Sequence, residues 1–233
     1  MGAEITEKMF INGIELHAFG AKVPRDSISI GGTEITNDYF QGRNRSHYTL
    51  MATTYGLKSV KFKIVFMADN IREAKLNKSR FEGEMYGECE LFMPDGYYYR
   101  CMLDSIGADS TKGIDGLGVM IECDYQLSGI QHDEMVTINN GTDFIAQGTL
   151  PKMDCILSVT VGANAASYSL GGAVFSNVHA GDVLVVDGIY KRFLKNGAWT
   201  TTTGWLNFPV VVPGANEFTA NDVVKVQYYP SYI

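Results

Sequence analysis

Proline is scarce in this chain, with 6 in 233 residues against 25 glycines and 13 tyrosines. That balance reads as a β-rich protein with many turns. Positive charge is in deficit as well. The net charge is −7, with 18 acids against 14 bases in residues 1–128 and 8 against 5 in residues 129–233. Phosphate contact needs a basic patch, so the balance argues against a nucleic-acid-binding surface. A moderately acidic wall suits a conduit that nucleic acid passes without sticking. No apolar run approaches the roughly 20 residues of a membrane helix, and Met1–Glu7 lacks the basic-then-apolar order of a signal peptide. The M-G-x-x-x-[ST] pattern at the start, and the sequons at Asn44, Asn77 and Asn140, are short enough to arise by chance.

The motifs of catalysis are missing too. The four cysteines (Cys89, Cys101, Cys123 and Cys155) form no C-x-x-C pair. Three fall at apolar positions of predicted strands, so reduced, buried thiols are expected. His17, His47, His132 and His179 are scattered, with no H-E-x-x-H. There is no G-x-S-x-G elbow and no P-loop. Gly113–Gly118 has the wrong spacing for a dinucleotide fingerprint and precedes a strand, so it reads as a loop. Asp182 and Asp187 flank an apolar strand and read as turn formers, as does Asn139–Asp143. No nucleophile, base and orienting group can be assembled. No enzyme is expected, and no catalytic residue, metal ligand or cofactor is assigned.

What is present is β patterning. Asn12-Gly13 within Met9–Leu16 is a hairpin signal. Lys22 to Gly56 reads as short strands with one long loop, including the basic stretch Arg43-Asn44-Arg45. Val60, Phe62, Ile64 and Phe66 alternate as a buried strand face. A helix follows, capped by Asp69 or Asn70, with Ile71, Ala74, Lys78, Phe81 and Met85 on one side and Gly87 as terminator. Lys78 interrupts that stripe, which places the helix on a sheet edge. Cys89–Met93 and Tyr97–Leu103 form a hairpin about Pro94-Asp95-Gly96, and Val119–Tyr125 is another half-buried strand. Composition shifts at Leu127–His132, dividing the chain into domains 1–129 and 130–233. The second holds short β runs at Val136–Ile138, Ile156–Val161, Ala173–Phe175, Val183–Val186, Ile189–Leu194, Val210–Val212 and Val223–Tyr229. Turn signals such as Asp187-Gly188 and Asn196-Gly197 join several of them, the pattern of a sandwich.

Among the aromatics, Trp205 and Phe208 precede the Val210–Val212 run and are expected in the core of the second domain. Tyr97, Tyr98, Tyr99 and Arg100 are the candidate subunit interface, because amphipathic rings are enriched at interfaces and the hairpin offers an edge for pairing. The alternative is that the tyrosines, Trp199 and Trp205 stack on sugar rings.

The order of motifs over most of the chain resembles the distal tail proteins of long-tailed, non-contractile bacteriophages. It begins with Phe10-Ile11-Asn12-Gly13 and continues through the strand Val60–Phe66, the helix near 70–86 and the Pro94-Asp95-Gly96 hairpin. Then come Ala180–Gly188 with Lys191 and Asn196-Gly197. Last are Trp205, Phe208-Pro209, Pro213-Gly214, Asn216 and Tyr229-Pro230. The resemblance implies a mainly β chain with an N-terminal β-sandwich or belt domain bearing one helix and a C-terminal galectin-like β-sandwich. It implies a homo-oligomer, a hexameric ring that links the tail tube protein to the tail-tip hub protein and lets DNA pass through its lumen. The protein would be made in the bacterial host cytoplasm and reside in the virion tail tip. A module that binds a host-surface glycan is the alternative function.

Overall fold

The computed structural model describes residues 8–24, 26–44, 46–114 and 118–233. The myristoylation pattern in Met1–Glu7, Arg45 of the basic stretch and Asp115–Leu117 of the glycine-rich run lie outside the described residues. Contacts group the chain into one unit that runs to Gln131 and includes Ile233, and another spanning His132–Tyr232. The expected break at 129/130 falls inside a strand, Gly118–His132.

In the first unit, Asn12 and Gly13 take left-handed φ values of 50° and 77°, as a two-residue type I′ turn requires. They join β1 (Phe10–Ile11) to β2 (Ile14–Glu15). A single 3-10 turn, Leu16–Phe19, leads into β3 (Ala21–Lys22). The next two strands, β4 (Ser29–Gln41) and β5 (Tyr48–Ala68), replace the short strands and long loop expected here with one long antiparallel hairpin. In β5, Val60, Phe62, Ile64 and Phe66 are buried as the alternation predicts.

Helix α1 (Ile71–Glu84) is capped by Asn70, whose side-chain oxygen accepts the Glu73 N–H at 3.0 Å. This satisfies one of the otherwise unpaired amides of the first turn. Ala74, Phe81 and the adjacent Met85 are buried. The Phe81 ring lies 5.7 Å from Phe19, 5.7 Å from Phe66 and 5.4 Å from Tyr125, so the helix packs over interior strands instead of the expected edge. Lys78, the break in its stripe, reaches Glu82 at 2.6 Å and Asp109 at 3.0 Å. Glu82 also accepts the Tyr125 hydroxyl at 3.2 Å. The apparent flaw in the pattern is therefore an ionic tether.

Four strands complete this unit: β6 (Glu88–Phe92), β7 (Tyr98–Ile106), β8 (Ser110–Ile114) and β9 (Gly118–His132). The sheet runs β2-β1-β6-β7-β9-β5-β3, with β4 on β5 and β8 on β9. Gly113 and Gly118 of the glycine-rich stretch read as a loop thus lie in the paired strands β8 and β9.

The second unit is a β-sandwich. Its strands are β10 (Val136–Ile138), β11 (Phe144–Ala146), β12 (Met153–Thr160), β13 (Ala165–Leu170), β14 (Ala173–Val178), β15 (Val183–Asp187), β16 (Arg192–Lys195), β17 (Ala198–Trp199), β18 (Val210–Val211), β19 (Gly214–Asn216) and β20 (Lys225–Tyr228). The main sheet follows β10-β20-β12-β15-β16-β17, with β18 on β12. The β13–β14 and β11–β19 pairs contribute Tyr168, Leu170, Phe175 and Phe144 to the same core as Leu157, Val186 and Val226. Pro213-Gly214 does not turn β18 onto β20. Instead β19 pairs with β11, held by Asn216, whose side chain accepts the Val212 N–H at 2.9 Å and donates to the Val212 carbonyl at 2.7 Å. Gly188 is required by crowding: a Cβ there would stand 2.6 Å from the Cys155 carbonyl oxygen. No helix among the described residues is long and apolar enough to cross a membrane.

Candidate functional site

The tyrosine-rich hairpin is not the exposed edge the sequence suggested. β6 is paired with β1 on one side and β7 on the other, and β7 lies between β6 and β9. Tyr99 is 1% exposed and donates to Asp95 at 2.5 Å. Burial, followed by that carboxylate, pushes its phenol far above the ordinary range. Tyr97 is half-buried against the core. Tyr98 is half-buried on the opposite face, its ring 4.9 Å from Phe92. Arg100 pairs with Glu88 across the hairpin, Nη2 to Oε2 at 2.6 Å. The four residues alternate between faces, as strand geometry demands, so they do not form one patch.

Trp205 is likewise outside the core of the second unit, 41% exposed, and Phe208 is half-buried at its margin. The two rings pack on Phe193, at 5.3 Å and 5.1 Å. The reason is local. Residues 200–209 run irregularly with one isolated bridge at Thr203, and β18 is two residues long, with Val211 its buried member. Phe175, Leu157 and Tyr228 fill the centre instead. Trp199, on the edge strand β17, is 75% exposed.

The titratable side chains serve local structure. His17 lies 2.9 Å from Glu15, His47 bonds Ser46, and His132 is buried with its ring 4.9 Å from Tyr229. The His179 N–H, then Asn196 and Lys195, hold the Asp182 carboxyl well below the usual range. Asp187, 2% exposed, accepts the Ile189 and Tyr190 N–H groups and pairs with Arg192 at 2.8 Å. Burial raises the Cys89 thiol to about 11 and the Cys101 and Cys155 thiols to about 12. Among the described residues, no cluster of three His, Cys, Asp or Glu is arranged to hold a metal.

The surface that stands out is the distal half of the β4–β5 hairpin. Pairing between β5 and β9 begins at Lys58, so residues 48–57 of β5 pair with β4 alone and form a two-stranded arm. Cross-strand pairing puts Ile35 opposite Tyr55, Asn37 opposite Thr53, Tyr39 opposite Leu50 and Gln41 opposite Tyr48. These share one face. The Thr53 hydroxyl donates to Asn37 at 2.9 Å, and the Tyr39 and Tyr48 rings meet edge-on at 5.8 Å. The other face carries Thr36, Asp38, Thr49, Ala52, Thr54 and Phe40. Exposure on the apolar face is 54% at Ile35, 58% at Tyr39, 67% at Tyr48 and 53% at Leu50. The β-rich composition of residues 33–41 and 48–55 was the signal available in the sequence. Register shifts at Ile30/Thr33, Thr33/Ile35 and Asp38/Tyr39 break the strict alternation that would have revealed it.

No protein-family model matches the chain, and neither does any curated protein. Solved structures do. The crystal structure of the SPP1 Dit (gp 19.1) protein, titled a paradigm of the hub adsorption apparatus in Gram-positive-infecting phages, aligns with a TM-score of 0.69. The alignment covers 97% of this chain and 99% of that one, at 8% identity. The fold is that of a phage Dit protein. The phage P2 baseplate in its activated conformation, with Ca or with Sr, matches at TM-scores of 0.49 and 0.47, 11% identity, covering 89% of this chain and 92% of that one in each case.

Proposed function

We propose that this chain is a structural tail-tip protein of a long-tailed phage or prophage. In this reading it closes into a homohexameric ring that joins the tail tube protein to the tail-tip hub protein and leaves a passage for DNA. The carrying observation is agreement of fold along nearly the whole length of a protein described as an adsorption-apparatus hub. The β4–β5 arm supplies an assembly surface. A two-stranded hairpin has no core of its own, and its row of exposed Ile35, Tyr39, Tyr48 and Leu50 gains most by lying against a neighbouring copy. A repeated head-to-tail contact of that kind closes into a ring when the rotation per subunit permits. The net charge of −7 keeps DNA from adhering to the passage, and the product resides in the virion tail tip after synthesis in the host cytoplasm.

Mass photometry of the full chain at micromolar concentration tests this. The expected result is a closed species of several 25.7 kDa subunits, reduced to monomer by Tyr39→Asp with Leu50→Asp while circular dichroism is unchanged. A monomer at every concentration, alone and with tube or hub protein added, overturns the ring.

Two observations favour a second reading, in which the second unit binds a host-surface glycan: Trp199 and Trp205 hold their rings at 75% and 41% exposure. The full chain on a glycan array, with Trp199→Ala and Trp205→Ala as controls, separates the readings. Binding lost in either variant supports the glycan role, and silence removes it.

A further inference from the structure

We infer that the acidic face of the β4–β5 arm docks onto the outer face of helix α1 in a neighbouring copy of this chain. The inference rests on the assembly proposed above and names what the second face of the arm engages. Ala74, Phe81 and the adjacent Met85 turn one side of α1 to the core. At 3.6 residues per turn the other side carries Arg72, Lys75, Leu76, Ser79, Arg80 and Gly83, all of them exposed. Arg72, Lys75 and Arg80 form no ion pair or side-chain hydrogen bond among the described residues. The acids of the helix are otherwise placed. Glu73 sits in the first turn, where the helix dipole favours a negative charge. Glu82 is held by Lys78, and Glu84 accepts the Asn12 side-chain N–H at 3.1 Å. Three cations thus face solvent together in a chain of net charge −7, and a second copy of that chain carries the opposite sign.

The arm supplies the matching charges. Alternation along β4 puts Glu34, Thr36, Asp38 and Phe40 on the face opposite Ile35 and Tyr39. Thr54 and Ala52 stand across from Thr36 and Asp38. Glu34 and Asp38 are exposed and form no ion pair or side-chain hydrogen bond among the described residues. Residues 48–57 of β5 contain no lysine or arginine, and Arg43 lies beyond both acids in the turn at the tip. The spacing fits as well. Four strand residues set Glu34 and Asp38 about 13 Å apart, and eight helical residues set Arg72 and Arg80 about 12 Å apart. Thr36 lies between the two carboxylates and Leu76 between the two arginines, so no further charge has to be covered when the faces meet.

Two charge-reversed chains test this contact: Glu34→Lys with Asp38→Lys, and Arg72→Glu with Arg80→Glu. In mass photometry each chain alone is expected to assemble at least tenfold more weakly than the parent, with circular dichroism unchanged. Mixed one to one they should recover, because a lysine-bearing arm then meets a glutamate-bearing helix and each unaltered arm meets an unaltered helix. The parent assembly should weaken in 0.5 M NaCl, since exposed pairs are screened. A parent oligomer that both reversals leave intact, or reversed chains that do not recover on mixing, overturns this inference and leaves the ring standing. A parent chain that stays monomeric, alone and with tube or hub protein added, overturns the ring and this contact together.

Discussion

At Gly129 the space for a side chain is absent: a Cβ would lie 2.4 Å from Cys101 Sγ and 2.6 Å from the Arg100 carbonyl oxygen. The backbone atom there is rigid, so β7 and β9 must part to admit a methyl group. Gly129→Ala should therefore cost about 1–3 kcal/mol, read as a lowered denaturant midpoint, and an unchanged midpoint would refute that close approach. Asp182 makes the opposite kind of contribution, electrostatic and at the surface. Its carboxyl is held below its ordinary value of 3.8 by the His179 N–H, Asn196 and Lys195. A depressed folded-state pKa means stability that is present above pH 3.8 and lost as pH falls below it. Thermal melts at pH 5 and pH 3 should show a smaller acid-induced drop in Asp182→Asn than in the parent chain. An identical drop would show that the turn does not favour the ionised form.

At the scale of elements, helix α1 and the β4–β5 arm respond differently to the loss of an apolar side chain. Phe81 is fully buried among Phe19, Phe66 and Tyr125, so Phe81→Ala leaves a cavity and should cost about 3–5 kcal/mol. Leu50 is 53% exposed on the arm and shares no core. Leu50→Ser should change monomer stability by no more than about 0.5 kcal/mol while weakening assembly. Urea titration and mass photometry of the two variants separate these effects. Loss of monomer stability in Leu50→Ser would mean that the arm packs against its own subunit.

At the scale of the whole molecule, the described residues form two apolar cores, one centred on Phe62, Phe66 and Phe81 and the other on Leu157, Phe175 and Tyr228. Each is large enough to define its own cooperative transition. Calorimetry of the full chain should resolve two transitions, with Phe81→Ala lowering one and Leu157→Ala the other. A single transition shifted by both substitutions would show one cooperative body. The boundary for any shortened version is better set at His132 than at residue 130, because cutting at 130 removes the end of β9.

Period-two alternation and turn chemistry were enough to read the mainly β character, the Val60–Phe66 strand, the Asn70-capped helix, and the Asn12-Gly13 and Asn196-Gly197 turns from sequence alone. These features depend on residues near one another in the chain, where a side chain's face follows directly from strand or helix geometry. The burial of Tyr99, the exposure of Trp205 and the interior position of the β6–β7 hairpin were not legible. Each depends on which strand lies alongside, and ring size or neighbouring apolar residues carry no record of that. The arm was missed for a related reason. Its bulges shift the register, so the apolar face becomes continuous only when β4 and β5 are paired in space. Local sequence determined the Val60–Phe66 strand, the capped helix and the asparagine-glycine turns. Tertiary pairing decided which aromatic residues were left facing solvent, because exposure is a property of neighbours distant in the chain.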